Sequence, residues 1–333
     1  MTDIQTIPSI TDRAKTFPAG GPVVAVHFVQ DRAVFALGEE ALLFVAPDGT
    51  EQRVLAHAGG ILGVACDGVR ALTGGDDGRV VATDASGLIE VLATDPKHRW
   101  IDRVALGPEG AIAWAAGKQA FVRTGKGDVR MLDLPSSAGG LAFAPKGLRL
   151  GVAHYGGATL WFPNAQAHPE TLAWKGSHLD ATFSPDGRFL VTAMQEATLH
   201  GWRLADGKDM RMSGYSAKVR SFAWTAGGKW LATSGSEQLI LWPFAGKDGP
   251  MGKTPRMLAP STARAVAVAC HPTQEVVATG FEDGVVLLAR IDDGAEILAR
   301  RKGAPIAALA WSADGSKLAF GTEDGEAGIV DLS

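Results

Sequence analysis

The chain has 333 residues, 46% hydrophobic and 20% charged, the composition of a folded globular protein with ample material for a core. A net charge of −4 and a pI near 6.1 give no electrostatic case for nucleic acid or an anionic membrane surface. Two cysteines, Cys66 and Cys270, cannot staple a chain of this length and suit a reducing compartment.

The first residues, MTDIQTIPSITDRAKTFP, lack the basic start and apolar stretch of a secretory leader. No run approaches the roughly 18 apolar residues of a membrane helix. The expected location is the cytoplasm. Residues 12–17, DRAKTF, read as a lone strand, and a recurring pattern follows it. The pattern is an apolar residue, a four-residue turn signal, then an apolar run ending in small residues. It is written LGPEGAIAWAA from Leu106, FAPKGLRLGVA from Phe143 and FSPDGRFLVTA from Phe183, then WTAGGKWLATS from Trp224 and WSADGSKLAFG from Trp311. Proline presets φ at the second turn position, Asp tolerates the third, and Gly relieves strain at the fourth, so each copy predicts a β-hairpin.

The last apolar residues before the turns are Phe28, Cys66, Leu106, Phe143, Phe183, Trp224, Cys270 and Trp311, spaced by 38, 40, 37, 40, 41, 46 and 41 residues. A period near 40 is that of one four-stranded propeller blade. The repeats are then 18–54, 55–95, 96–133, 134–172, 173–213, 214–259, 260–300 and 301–333 with 12–17, in one domain spanning 1–333. Repeat 5 shows the internal plan: a strand ending at Phe183, a turn, RFLVTA, a second turn, TLHGWRL, and a last segment GKDMRMSG. Short runs rich in Val, Leu, Thr and Trp between Gly, Pro and Asp are strands. No segment keeps a 3.6-residue apolar period for three turns.

These repeats resemble the WD-repeat (tryptophan–aspartate repeat) family of β-propellers, in a degenerate, bacterial-type form, over nearly the whole chain. Repeat 2 carries the fullest match: His57 falls at the family's His position, Thr73 at its Ser/Thr, Asp77 at its turn Asp and Asp84 at its closing Asp, with Thr83 replacing the tryptophan. Repeats 4, 5 and 6 keep that tryptophan as Trp161, Trp202 and Trp242 but lose the Asp after it, and no GH or WD dipeptide occurs. The resemblance implies an all-β, closed β-propeller of four-stranded antiparallel blades. The repeat count favours eight blades, with seven, the number in most family members, as the alternative. The sequence stops after the third strand of repeat 8, so the strand at 12–17 is expected to supply the fourth and remove two exposed edges.

Several motifs resemble chemistry. His57, Thr73 and Asp77 suggest a catalytic triad, yet in the resembled family they form a buried hydrogen-bond network, and no oxyanion donor motif accompanies them. Thr279 and Asp283 repeat the spacing in repeat 7 without a histidine, as scaffolding would. GKDGPMGKT at 246–254 ends like a phosphate-binding loop, but Lys247 stands where the motif needs Gly, and Pro255 and Arg256 lead into a strand. The eight histidines lack metal-site spacing; only His154 and His200 are placed to approach, on adjacent repeats. Asn164 is the sole asparagine, which disfavours propeller enzymes that bring Asp and Asn to a central metal. Cys66 and Cys270 read as small apolar core residues. No catalytic, cofactor or metal residue is assigned.

In the resembled family one face is built from the loops leading into the first strands and the turns between the second and third. Mapped here, repeats 7, 8, 1 and 2 place Glu282, Glu323, Glu39 and Asp76 on that rim, while repeats 3 to 6 place Arg99, Trp100, Lys118, Tyr155, Gln195 and Lys218 there, with Arg264 at the border. Aromatic and Arg residues anchor partners and acidic residues steer them; equally, acidic residues solvate tight turns and Trp100 tucks between blades. The expected function is a monomeric, non-enzymatic scaffold that recruits one or more proteins, with no cofactor, nucleic acid or membrane. The alternative is a propeller enzyme, or a small-molecule or metal-binding protein, with its site at the channel mouth.

Overall fold

The computed structural model describes residues 7–333, so residues 1–6 of the stretch read for a leader lie outside the described residues. The described residues form antiparallel strands joined by turns, with two single 3₁₀ turns at Thr11–Arg13 and Pro108–Gly110. No helix among them is long and apolar enough to cross a membrane. The chain divides into a terminal unit, Met1–Phe35 with Arg220–Ser333, and a middle unit, Ala36–Val219. The strands of repeat 1 are Val23–Val29, Arg32–Leu37, Ala41–Val45 and Glu51–Leu55.

In the terminal unit, repeat 6 forms a four-stranded sheet from Phe222–Trp224, Trp230–Thr233, Leu239–Pro243 and Arg256–Leu258. Repeat 7 does the same with Ala265–Cys270, Val276–Phe281, Val286–Arg290 and Glu296–Arg300. Repeat 8 supplies only Ile306–Trp311, Lys317–Thr322 and Glu326–Asp331; its fourth strand is Ala14–Pro18, with Ala14 opposite Val330 and Pro18 opposite Glu326. The N-terminal strand therefore completes the last blade. Just before it, the Leu298 N–H donates to the Pro8 carbonyl at 2.8 Å and the Ile10 N–H to the Leu298 carbonyl at 2.9 Å, covering the outer edge of repeat 7.

In the middle unit, repeat 2 (Ile61–Cys66, Arg70–Gly75, Arg79–Asp84, Ile89–Thr94) and repeat 3 (Arg103–Leu106, Ile112–Ala116, Gln119–Arg123, Val129–Asp133) are separate four-stranded sheets. Repeats 4 and 5 are joined: Ala138–Phe143, Leu150–Trp161, Glu170–Phe183, Phe189–Met194, Leu199–Arg203 and Lys208–Met212 make one six-stranded sheet. Among the described residues the hydrogen-bonded sheets therefore number seven, the alternative blade count, and the preference for eight blades is corrected. The cause is local. Tyr155 pairs with Ser177, which links the second turn of repeat 4 to the chain crossing into repeat 5. Register breaks at Tyr155/Gly157 and His178/Asp180 divide the two long strands where the other repeats change strand. Gly156 and Gly157, at φ +91° and +137°, turn the backbone at the first break, which only glycine does without strain.

The burial pattern explains the sequence pattern. Second strands such as Ile112–Ala116 and Phe189–Met194 are buried on both faces, so they read as continuous apolar runs rather than alternating ones. Each core cluster draws on two successive repeats. Leu72 and Val80 meet Ile101, Ile112 and Trp114; Leu160 and Leu172 meet Phe183, Leu190 and Trp202; Leu288 meets Ile306, Leu318 and Phe320. Each such side chain contributes about 1.5–3 kcal/mol by leaving water. A repeat alone has no second face to bury against.

The recurring turn has one mechanism beyond its glycine. In repeat 5 the Ser184 hydroxyl donates to Asp186 Oδ1 at 2.7 Å and accepts the Phe189 N–H at 3.0 Å, while Gly187 sits at φ +77°. Repeat 8 copies this with Ser312, Asp314, Lys317 and Gly315 at φ +73°. Gly187→Ala is expected to lower stability by about 1 kcal/mol through backbone strain. Gly315→Ala is expected to cost more, because a Cβ there would overlap the His271 ring. Urea midpoints of the two variants check the order; equal midpoints would refute it.

Candidate partner-binding rim

His57, Thr73 and Asp77 come together beneath the rim of the middle unit. Asp77 Oδ1 lies 3.0 Å from His57 Nδ1, and His57 Nε2 lies 2.9 Å from the Thr73 hydroxyl. Asp77 also accepts the Ala58 N–H at 3.1 Å and the Arg79 N–H at 3.0 Å. Burial alone would raise its carboxyl, but the Ala58, His57 and Arg79 hydrogen bonds outweigh that and hold it below the usual range. The Thr73 hydroxyl also donates to the Val81 carbonyl at 3.3 Å. The ring nitrogens and both Asp77 oxygens are thus committed to tying residues 57–58 to the turn at 77–79. In repeat 7 the pattern is incomplete: the Thr279 hydroxyl has no partner, and Asp283 pairs with Lys302 at 3.1 Å.

The other residues singled out for chemistry have structural surroundings. His154 Nε2 lies 2.8 Å from the Thr159 hydroxyl and Nδ1 lies 2.9 Å from the Tyr155 carbonyl. His200 is fully buried, stacked on Trp174 at 3.9 Å between ring centroids and edge-on to Trp202 at 4.8 Å. Its nearest ionic neighbour is Asp209 at 3.5 Å. Among the described residues no three His, Cys, Asp or Glu side chains are grouped to hold a metal ion. The 246–254 segment forms successive turns, and Lys253 Nζ donates to the Ala245 carbonyl at 2.8 Å. Cys66 and Cys270 are half-buried; burial pushes both thiols up, Cys270 to about 12.

On the rim of the middle unit the most exposed aromatic side chains are Trp100, 67% exposed, and Tyr155, 68% exposed. Both stand on braced loops. Asp95 begins a turn, accepting the Lys97 N–H at 2.9 Å and the Arg99 N–H at 3.2 Å, with His98 at φ +50°. Arg99 grips the same carboxylate with Nε and Nη2, then donates to the Ala116 carbonyl at 3.1 Å and Gln119 Oε1 at 3.0 Å. That guanidinium holds the Asp95 carboxyl below its usual range, against burial. The Asp95 N–H bonds Gly78 and the Ile101 N–H bonds Gly75, at 2.8 and 3.0 Å, so both ends of the Trp100 loop are fixed. Arg99 is therefore a brace beneath Trp100, and Asp95, which the sequence reading missed, is its partner. The Asp-Pro start of DPKHRW is the turn signal that would have marked it.

The next loops continue the same face. The Leu134 N–H bonds the Lys118 carbonyl at 2.8 Å, the Tyr155 N–H bonds the Ser136 hydroxyl at 2.9 Å, and the Gln195 N–H bonds the Ser177 carbonyl at 2.9 Å. Lys118, Tyr155 and Gln195 thus lie on successive linked loops, all exposed, while half-buried Lys218 lies on the loop leading into repeat 6. Of the acidic positions in this unit, Glu39 stands 3.8 Å from Arg53, and Asp76 packs against Gly59 and Gly60. In the terminal unit Arg264 and Glu282 are paired with each other at 2.9 Å, and Glu323 stands 3.8 Å from Arg220.

Two family models match parts of the chain: the anaphase-promoting complex subunit 4 WD40 domain over residues 268–333, and the WD domain, G-beta repeat, over residues 208–242. No curated protein matches the sequence. Among solved structures the chain is similar to the computationally designed Ika8 protein, at 15% identity and a TM-score of 0.77, covering 94% of this chain and 97% of that one. That likeness concerns the fold alone. Antiparallel blades throughout and repeat matches in two places lead to one identification: the chain is an all-β propeller that carries WD-repeat matches over residues 208–242 and 268–333.

Proposed function

We propose that the protein is a non-enzymatic, monomeric interaction scaffold, and that a partner protein docks on the rim of the middle unit with Trp100 and Tyr155 as its anchors. One observation carries this reading: two large aromatic side chains are left in water on loops pinned by hydrogen bonds, so binding need not pay to order them. WD-repeat propellers commonly mediate protein interactions, which supports the reading by fold analogy. The His57–Asp77 network does not compete with it, since its polar atoms are spent on the scaffold.

The test is capture of partners from native cell extract with wild-type protein beside a Trp100→Ala, Tyr155→Ala variant, read by quantitative mass spectrometry. Both side chains are exposed, so the variant is expected to keep its stability within about 0.5 kcal/mol. A protein enriched by wild type and reduced at least tenfold by the variant is the expected result. Equal enrichment by both would remove this rim from the interface.

A further inference from the structure

The charge on the aromatic rim runs against the charge of the molecule. The whole chain carries −4, yet the loops around Trp100 and Tyr155 present Lys97, Lys118 and Lys175 to solvent, and half-buried Lys218 lies on the loop leading into repeat 6. Among the described residues none of these four lysines makes an ion pair with an Asp or Glu. Two of the anions of the same loops are held by arginines. Asp95 is buried under Arg99 and Asp102 stands 3.5 Å from Arg103, while Asp133, which accepts only from the neutral Gln119 amide at 2.9 Å, Glu196, and Asp76 in the turn bonded to the Trp100 loop keep their charge.

The lysines are also placed by the scaffold. Lys97 lies inside the turn that Asp95 closes, and Lys118 lies in the turn against which Arg99 and Leu134 are bonded. Lys175 precedes Ser177, whose backbone pairs with Tyr155 and with Gln195. The hydrogen-bonded loops thus run as one strip that alternates cation and aromatic: Lys97, Trp100, Lys118, Tyr155, Lys175. Unpaired ammonium groups cost nothing in water and gain most when a partner supplies carboxylates and excludes solvent.

We propose that this strip takes an acidic protein segment, Asp- or Glu-rich around an aromatic or aliphatic anchor residue that seats against Trp100 or Tyr155. This rests on the rim being the docking face and names the chemistry of what docks there. Carboxylates placed either side of an apolar anchor would meet Lys97 and Lys118 on one flank and Lys175 on the other. A basic segment would meet the like charges of Lys97, Lys118 and Lys175.

A displayed library of random 15-residue peptides, selected on the full-length protein and sequenced, tests this. The expected outcome is enrichment of sequences with several Asp or Glu around one Phe, Trp, Leu or Ile. Synthetic versions of these, followed by fluorescence polarisation, should weaken about tenfold with Lys118→Glu, Lys175→Glu, and lose most of their salt dependence. Enrichment of neutral or basic sequences, enrichment of nothing, or affinity unchanged by the charge reversal would each overturn the proposal. So would tighter binding of a labelled 15-nucleotide oligo-uridine than of any peptide, which would assign the strip to single-stranded nucleic acid. The two readings fail separately. A partner lost with Trp100→Ala, Tyr155→Ala but kept by the lysine variant sinks the acidic segment alone; a partner kept by both sinks the rim as well.

Discussion

Arg99→Ala is expected to be among the most damaging single changes on the rim, although Arg99 itself need touch no partner. The substitution strands the Asp95 carboxylate, whose side chain is 1% exposed, without the guanidinium that faces it at 2.6 Å. Breaking a buried pair from one side costs about 3 kcal/mol, because the remaining charge is left desolvated. It also removes the bonds to the Ala116 carbonyl and Gln119, and with them the brace under Trp100. Arg99→Ala should therefore lower the unfolding free energy in urea and weaken partner capture together. Arg99→Lys restores the charge but not the fork, and should recover only part of either. Asp95→Asn combined with Arg99→Ala should cost less than Arg99→Ala alone, since no buried charge remains unpaired. A stability loss for Arg99→Ala below about 1 kcal/mol would refute the brace. The Asp95 contribution is complete above its unfolded value near 3.8 and is lost as pH falls through the depressed folded value, so these effects hold at neutral pH.

The second large effect is acid destabilisation through His200. Burial lowers this imidazole from 6.5 to about 4; Asp209 pulls the other way, while His178 and Arg211 push it further down. The folded value lies below the unfolded one, so the folded state holds the ring neutral. Stability is then fully present above about pH 6.5 and falls as pH drops toward 4, where the unfolded chain binds a proton that the native site refuses. At about 1.4 kcal/mol per unit, His200 alone accounts for roughly 3 kcal/mol over that window. His27, also lowered to about 4 by burial, adds in the same direction from the terminal unit. His200→Phe keeps an aromatic ring between Trp174 and Trp202 but cannot take up a proton. Urea unfolding at pH 7.5, 6, 5 and 4.5 should show a visibly flatter decline for the variant. Parallel declines for the two proteins would mean that His200 is not a source of the acid sensitivity.

Much of the architecture was legible because it is periodic. A turn repeated near every 40 residues, with both-face-buried runs behind it, determines four-stranded blades without reference to any one residue. The sheet count was less legible. It depends on one backbone pairing, Tyr155 with Ser177, across a glycine turn that carries no apolar signal. Trp100 and Tyr155 could be singled out because an aromatic residue at a loop position departs from the pattern. The difference between Arg99 as a contact and Arg99 as a brace could not be read, since it depends on a buried carboxylate four residues away and a turn seventeen residues ahead. Likewise the acidic residues Glu282 and Glu323 read as free charges, whereas each has an arginine close by that sequence spacing does not reveal.

The pairing of Ala14–Pro18 with Glu326–Asp331 has a consequence for how the chain is born. On a ribosome adding about 5–20 residues per second, the first strand emerges some 15–60 s before the last one exists. Through that interval it is an orphaned edge with no native mate, while successive blades fold behind it. Its composition suits the wait: Lys15 and Thr16 point to water and Pro18 withholds a donor, features that discourage a strand from pairing with another nascent chain. A chain interrupted before Glu326–Asp331 would leave Ala14–Pro18 without its mate, an unsealed edge ready for chaperones and proteases.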